Sequence, residues 1–181
     1  VLIQDLRGGD LVDTKDNGAQ PIRWIGSRQL TAAHLSRMPG LRPVRIRPHF
    51  FRTGRPDSEL IVSPAHRIVM QGRGTSELFN TSEVLVAAKD LIDGRGVVVD
   101  QRNRGVTYIH IMFEKHQVVW ANGVETESFH PASANYAALN QADLLTLLDL
   151  RPEIASDPHA YGDYARRNLT TSEAALLQYA A

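Results

Sequence analysis

Between residues 1 and 131 the apolar positions fall in short runs with a period near two, cut by turns rich in glycine, proline and asparagine, and this pattern predicts strands. Residues 1–14 carry Leu2, Ile3, Leu6 and Leu11-Val12, with a turn forced at Gly8-Gly9. Lys15-Asp16-Asn17-Gly18 reads as a hairpin turn, and Pro21-Ile22-Arg23-Trp24-Ile25 as its returning strand. Thr31 is placed to cap a short helix over 32–35, ended by Pro39-Gly40. In 41–49, Val44 and Ile46 alternate with Arg45 and Arg47, which predicts a half-exposed edge strand blunted by charge, with Arg42, Arg52 and Arg55 nearby. Binding of an acidic partner is the other reading of that cluster. Residues 60–70 (LIVSPAHRIVM) are two apolar strand halves interrupted by Ser63-Pro64-Ala65-His66. Proline cannot donate to a central ladder, so the interruption is a bend that brings Ser63 and His66 together. Gly72-Arg73-Gly74 reads as a plain turn, because no helix opening on Lys-Ser/Thr follows it as a phosphate loop requires. Residues 83–92 predict a strand and then a helical turn, and Asp93-Gly94-Arg95-Gly96 leads into Val97-Val98-Val99.

The longest patterned stretch is 108–129 (YIHIMFEKHQVVWANGVETESF). It predicts a strand buried on both faces over 108–113, a polar break at Glu114-Lys115, a second strand at Val118-Val119-Trp120 and a tight turn at Asn122-Gly123. His110 and His116 lie inside this hairpin, where an imidazole needs hydrogen-bond partners. Beyond Phe129 alanine and leucine dominate: 142–150 has helical spacing stopped by Pro152, and Thr170-x-x-Glu173 is a capping box opening a last helix over 172–178. The predicted fold is a mainly β domain over 1–131 with a helical C-terminal appendage over 132–181, whose helices cover a sheet edge or an apolar face.

Composition narrows the chemistry. Twenty basic and twenty acidic residues give a net charge of zero, so charge points to no nucleic acid and no membrane surface. A hydrophobic fraction of 43% without a long apolar run predicts no membrane span. The absence of cysteine excludes disulfides, zinc–thiolate sites and a thiol nucleophile within these 181 residues. His66, His110 and His116 offer three imidazoles, but six residues of straight strand separate His110 from His116 by about 20 Å. No H-E-x-x-H or H-x-H spacing supports an ion either, so neither metal nor cofactor is expected.

Three further features carry a resemblance. The run from His116 to Ala121-Asn122-Gly123, followed by Thr126-Glu127-Ser128-Phe129, resembles the C-terminal signature of Hint domains, the autoprocessing fold of hedgehog proteins and inteins, and is closest to the bacterial hedgehog/intein type. Gln4-Asp5-Leu6-Arg7-Gly8-Gly9-Asp10 resembles the E-D-L-x-x-G-D run that follows the family's first strand, and Ser63-Pro64-Ala65-His66 its T-x-x-H bend, with a hydroxyl retained at Ser63.

The resemblance implies a horseshoe of long bent strands with pseudo-symmetric halves. It also implies self-processing: a Cys or Ser heading the first strand attacks the carbonyl before it, giving a thioester or ester. The sequence opens on Val1, and on this resemblance it is expected to be a fragment whose nucleophile-bearing strand lies upstream. His66 is then the general acid for the departing amide nitrogen, and Ser63 orients the same peptide. His110 stands where inteins often carry aspartate, a position for activating the nucleophile or protonating an amine. His116 is the family's signature histidine, with Val118 where phenylalanine is usual. Inteins end in His-Asn and release the downstream segment by cyclisation of the asparagine; Glu127-Ser128 cannot do this. The expectation is therefore cleavage of the chain's own upstream polypeptide, with transfer of the acyl group to water, an amine or an alcohol, in a secreted or surface protein of a bacterium. The competing expectations are a non-catalytic Hint-like scaffold and a β-rich metal-dependent hydrolase.

Overall fold

The computed structural model describes residues 1–102, 104–133 and 139–179. Among them, the first half of the chain forms β1 (Leu11–Thr14), β2 (Gly18–Pro21), β3 (Trp24–Leu30), α1 (Ala32–Arg37), β4 (Val44–Ile46), β5 (Leu60–Val62), β6 (Arg67–Gln71), α2 (Arg73–Phe79) and β7 (Glu83–Ala87). The second half forms β8 (Val97–Val99), β9 (Val106–Met112), β10 (Val118–Ala121), β11 (Val124–Glu127), α3 (Gln141–Leu150), β12 (Arg167–Asn168) and α4 (Thr171–Tyr179). The chain is mainly β with C-terminal helices, and none of its described helices is long and apolar enough to cross a membrane. It gathers into two compact units, one of Val1–Thr31, Gly105–Val119 and Ser128–Ala165, the other of Ala32–Arg104, Trp120–Glu127 and Arg166–Ala181.

In the first unit β3 and β9 pair antiparallel from Trp24 opposite Met112 to Leu30 opposite Val106. β1 and β2 form the hairpin read from Lys15-Asp16-Asn17-Gly18, with Thr14 opposite Gly18. The returning strand is β2, which ends at Pro21, so its expected position over Pro21-Ile22-Arg23-Trp24-Ile25 is corrected: Trp24 and Ile25 open β3. β9 is half-buried as far as His110 apart from the exposed Thr107, and only Ile111 and Met112 are buried, so the expectation of burial on both faces holds for its end alone. Its hydrogen-bonded partner is β3, so His110 sits in that ladder. α3 starts at an Asn140 cap, whose side chain accepts from the Asp143 amide at 3.0 Å, and ends ahead of Pro152. Leu147 is fully buried in a cluster with Trp24, Met112, Phe129, Ile154 and Tyr161, and Leu148 packs against it, whereas Leu145 faces out. This is the docking that the leucine run needed.

In the second unit β4 is the central strand of a three-stranded antiparallel sheet between β5 and β8. The edge assignment for 41–49 is therefore corrected. Alternation of apolar and charged residues reports one buried face, and an internal strand with its other face toward solvent has the same pattern. Its charge is neutralised locally: Glu59 bonds Arg45 at 3.3 Å and Arg102 at 3.0 Å, and Arg102 grips both oxygens of the buried Asp100 at 2.8 and 2.9 Å. Around 72–79 a second correction applies. The glycine pair opens a helix, α2, whose start is held by Thr75 Oγ1 donating to the carbonyls of Gly72 at 2.7 Å and Ser82 at 3.0 Å. β5 and β6, the halves of 60–70, diverge after the turn into different sheets, β6 pairing with β7 and β11. β12 lies parallel on β7, so a segment expected to be helical supplies two residues that cover an edge strand. The capping box before α4 closes in both directions, Glu173 N–H to Thr170 Oγ1 at 3.3 Å and Thr170 N–H to Glu173 Oε2 at 2.8 Å.

The Arg102 hydrogen bonds hold the Asp100 carboxyl below the usual carboxylate range, and the Thr170 amide, with Arg167, does the same for Glu173. Both folded-state values are depressed, so the stability they contribute is full above the ordinary carboxylate pKa and is lost as pH falls through the folded one. Asp100→Asn is expected to lower the melting temperature at pH 7 and to narrow the gap between melting at pH 7 and at pH 3, measured by circular dichroism.

Candidate functional site

Ser63 and His66 lie in the second unit, at the two ends of the turn that Pro64 starts. The turn is closed by the His66 amide donating to the Ser63 carbonyl at 3.1 Å. It is pinned again from the short 3₁₀ helix Ala88–Leu91: the Ala88 amide bonds the His66 carbonyl at 2.8 Å and the Lys89 amide the Pro64 carbonyl at 2.9 Å. Both residues are half-buried. The backbone of the histidine is thus fixed through both its amide and its carbonyl.

Glu127, at the end of β11, reaches the same place. It is 7% exposed, and its Oε1 accepts from the Arg67 amide at 3.0 Å, the nitrogen of the peptide joining His66 to Arg67. The Arg67 guanidinium stands 3.7 Å from that oxygen. Sequence reading treated Glu127 only as a residue unable to cyclise. The signal that finds it is a register, Thr126 opposite Ile68, which only strand pairing supplies.

His110 and His116 lie in the first unit. His110 is opposite Gly26 in the β3–β9 ladder, half-buried, with its ring 5.1 Å from that of Phe129. His116 is 5% exposed, and its Nδ1 accepts from the Ala165 amide at 2.9 Å. The proton is therefore on Nε2, which donates to the Ser128 carbonyl at 3.0 Å. Both ring nitrogens are committed to backbone, so this histidine has neither a lone pair for a metal nor a proton to give without breaking the fold. The ring of this signature histidine thus links the Ala165 amide to the Ser128 carbonyl. Ser128 completes the arrangement, its Oγ accepting from the Gln117 amide at 2.9 Å.

A second buried histidine went unread. His130 is 1% exposed, stacks on Tyr164 at 3.8 Å, takes the Ala132 amide on Nδ1 at 3.1 Å and gives Nε2–H to the Gly162 carbonyl at 2.9 Å. Beside it the Tyr161 hydroxyl donates to the Phe113 carbonyl at 3.0 Å, and burial pushes that hydroxyl well above its ordinary range. These residues tie 159–165 to the β9 end of the unit. No group of three metal-binding side chains occurs among the described residues.

The chain is mainly β, with a turn at Ser63-Pro64-Ala65-His66 between β5 and β6 and a buried histidine, His116, just ahead of β10. Residues 1–133 match the Hint domain family, and the chain belongs to that family. No curated protein and no solved structure matches it.

Proposed function

We propose that this Hint domain cleaves its own upstream peptide bond through an ester or thioester and passes the acyl group to water, an amine or an alcohol instead of splicing. The observation that carries the proposal is the doubly pinned Ser63–His66 turn, in a segment that resembles the family's T-x-x-H bend. In the reaction a hydroxyl or thiol at the head of the upstream strand adds to the preceding carbonyl carbon. The C–N bond then breaks, its electron pair stays on nitrogen, and His66 delivers the proton that makes the nitrogen a neutral leaving amine. Ser63 orients the scissile peptide by a hydrogen bond; the part of His110, activating the nucleophile or protonating an amine, rests on the resemblance alone. Glu127-Ser128 at the motif's end leaves the downstream segment attached. A secreted or surface location in a bacterium belongs to the same reading and rests on the resemblance alone.

The test uses the polypeptide extended through its natural upstream sequence. Hydroxylamine or a small thiol is expected to accelerate release of the upstream piece, and mass spectrometry should find a hydroxamate or thioester at its new C-terminus, since an acyl–enzyme is open to any nucleophile. A polypeptide that carries Cys or Ser at the head of that strand and stays intact under both reagents is a scaffold, and the proposal then fails.

A further inference from the structure

A strand amide ordinarily donates to a carbonyl of its neighbour, yet the amide next to His66 donates to a side-chain carboxylate. Glu127 is buried to 7% exposure, and a carboxylate is taken that far out of water at a cost that only good partners offset. Both partners known for its Oε1, the Arg67 amide at 3.0 Å and the Arg67 guanidinium at 3.7 Å, belong to the residue that follows His66. Neither the ladder nor the core calls for a charge there. Glu127 ends β11 beside the buried Thr126, while β6 supplies the buried Ile68 and Val69.

We propose that Glu127 is a positioning residue for His66: it anchors the peptide on the histidine's C-terminal side and, with Arg67, sets the charge balance under which the imidazole carries its proton. This rests on the role given to His66 above and adds the residue through which that role is tuned. An anion near an imidazole favours the imidazolium, and a guanidinium opposes it. The charges on the elements packed around the turn are Arg67 on β6, Glu127 and Glu125 on β11, with Glu125 bonded to Gln71 at 2.6 Å, Glu83 on β7, bonded to Arg166 at 2.5 Å, and Lys89 and Asp90 on the 3₁₀ helix. β5 carries none. Glu127 and Arg67 are the pair of opposite charges bonded at the peptide that follows the histidine, so removing each alone has opposite consequences.

The experiment has two arms. In the first, the 181-residue chain is titrated by NMR of the His66 imidazole as wild type, Glu127→Gln and Arg67→Met. Glutamine keeps an oxygen for the Arg67 amide and removes the charge; methionine keeps the amide and removes the guanidinium. The expected result is a midpoint lowered by roughly half a unit or more in Glu127→Gln and raised in Arg67→Met. In the second arm the upstream-extended polypeptide carries the same substitutions, and the pH profile of cleavage is expected to move in the same two directions. Midpoints that stay put, or move together, overturn the proposal and leave Glu127 as a stabilising ion pair. If Glu127→Gln does not fold, a midpoint in Arg67→Met that is unchanged or lowered is enough to overturn it. A wild-type extended polypeptide that is not cleaved refutes the proposed function, whereas the NMR arm still decides the part of Glu127.

Discussion

In the upstream-extended polypeptide His66→Ala is expected to slow self-cleavage by about 10²-fold or more, the usual scale for losing a general acid. The tetrahedral adduct can collapse two ways. Without a proton on nitrogen the amine is the worse leaving group, and the adduct returns to peptide. The turn makes this substitution a clean probe. Its closing bond runs from the His66 amide to the Ser63 carbonyl, and the bonds from Ala88 and Lys89 also involve only backbone, so alanine keeps all three. Chemistry should fall while the turn keeps its backbone bonds. Ser63→Ala should lower the rate by a smaller factor and Ser63→Thr should recover it, because only the hydroxyl is asked to act. Rates are read by gel densitometry of the released piece. A His66→Ala polypeptide that cleaves at the wild-type rate removes His66 from the reaction.

The largest effect on stability is expected at Trp24. It is 5% exposed, its ring lies 5.0 Å from Phe129, and its indole N–H donates to the Asp143 carbonyl of α3 at 3.0 Å. The ring also lies across Gly26, where an added Cβ would meet it at 2.1 Å, so no other residue fits beneath it. Trp24→Ala removes the wall against which Leu147 and Ile154 pack and is expected to destabilise by about 3–5 kcal/mol. Because α3 docks through this ring, limited proteolysis should cut within 141–150 before the rest of the first unit opens. Trp24→Phe keeps most of the apolar contact and loses the hydrogen bond, so it should lie between wild type and alanine. Resistance of 141–150 to protease in Trp24→Ala would show that α3 is held by other contacts.

What the sequence determined by itself is what short-range stereochemistry decides. Asn122 and Gly123 turn with φ of 48° and 79°, a left-handed pair that a β-branched residue would resist, and this turn was readable from two letters. Pro64 had to end a strand, Asn122-Gly123 had to join two, Pro152 had to stop α3, and the Thr170–Glu173 box had to open α4, each within four residues of its cause. The family signature was readable for the same reason, since its motifs cluster at those turns. Tertiary structure alone decided the rest. Whether β4 is an edge or a centre depends on β5 and β8, and what its Arg45 does depends on Glu59. Which tautomer His116 adopts is set by the Ala165 amide, 49 residues further on. Glu127 meets the peptide beside His66 across 60 residues of chain. A side chain's neighbours within a turn follow from local dihedral limits, whereas its charge and proton state depend on partners that only strand pairing and packing bring within hydrogen-bonding distance.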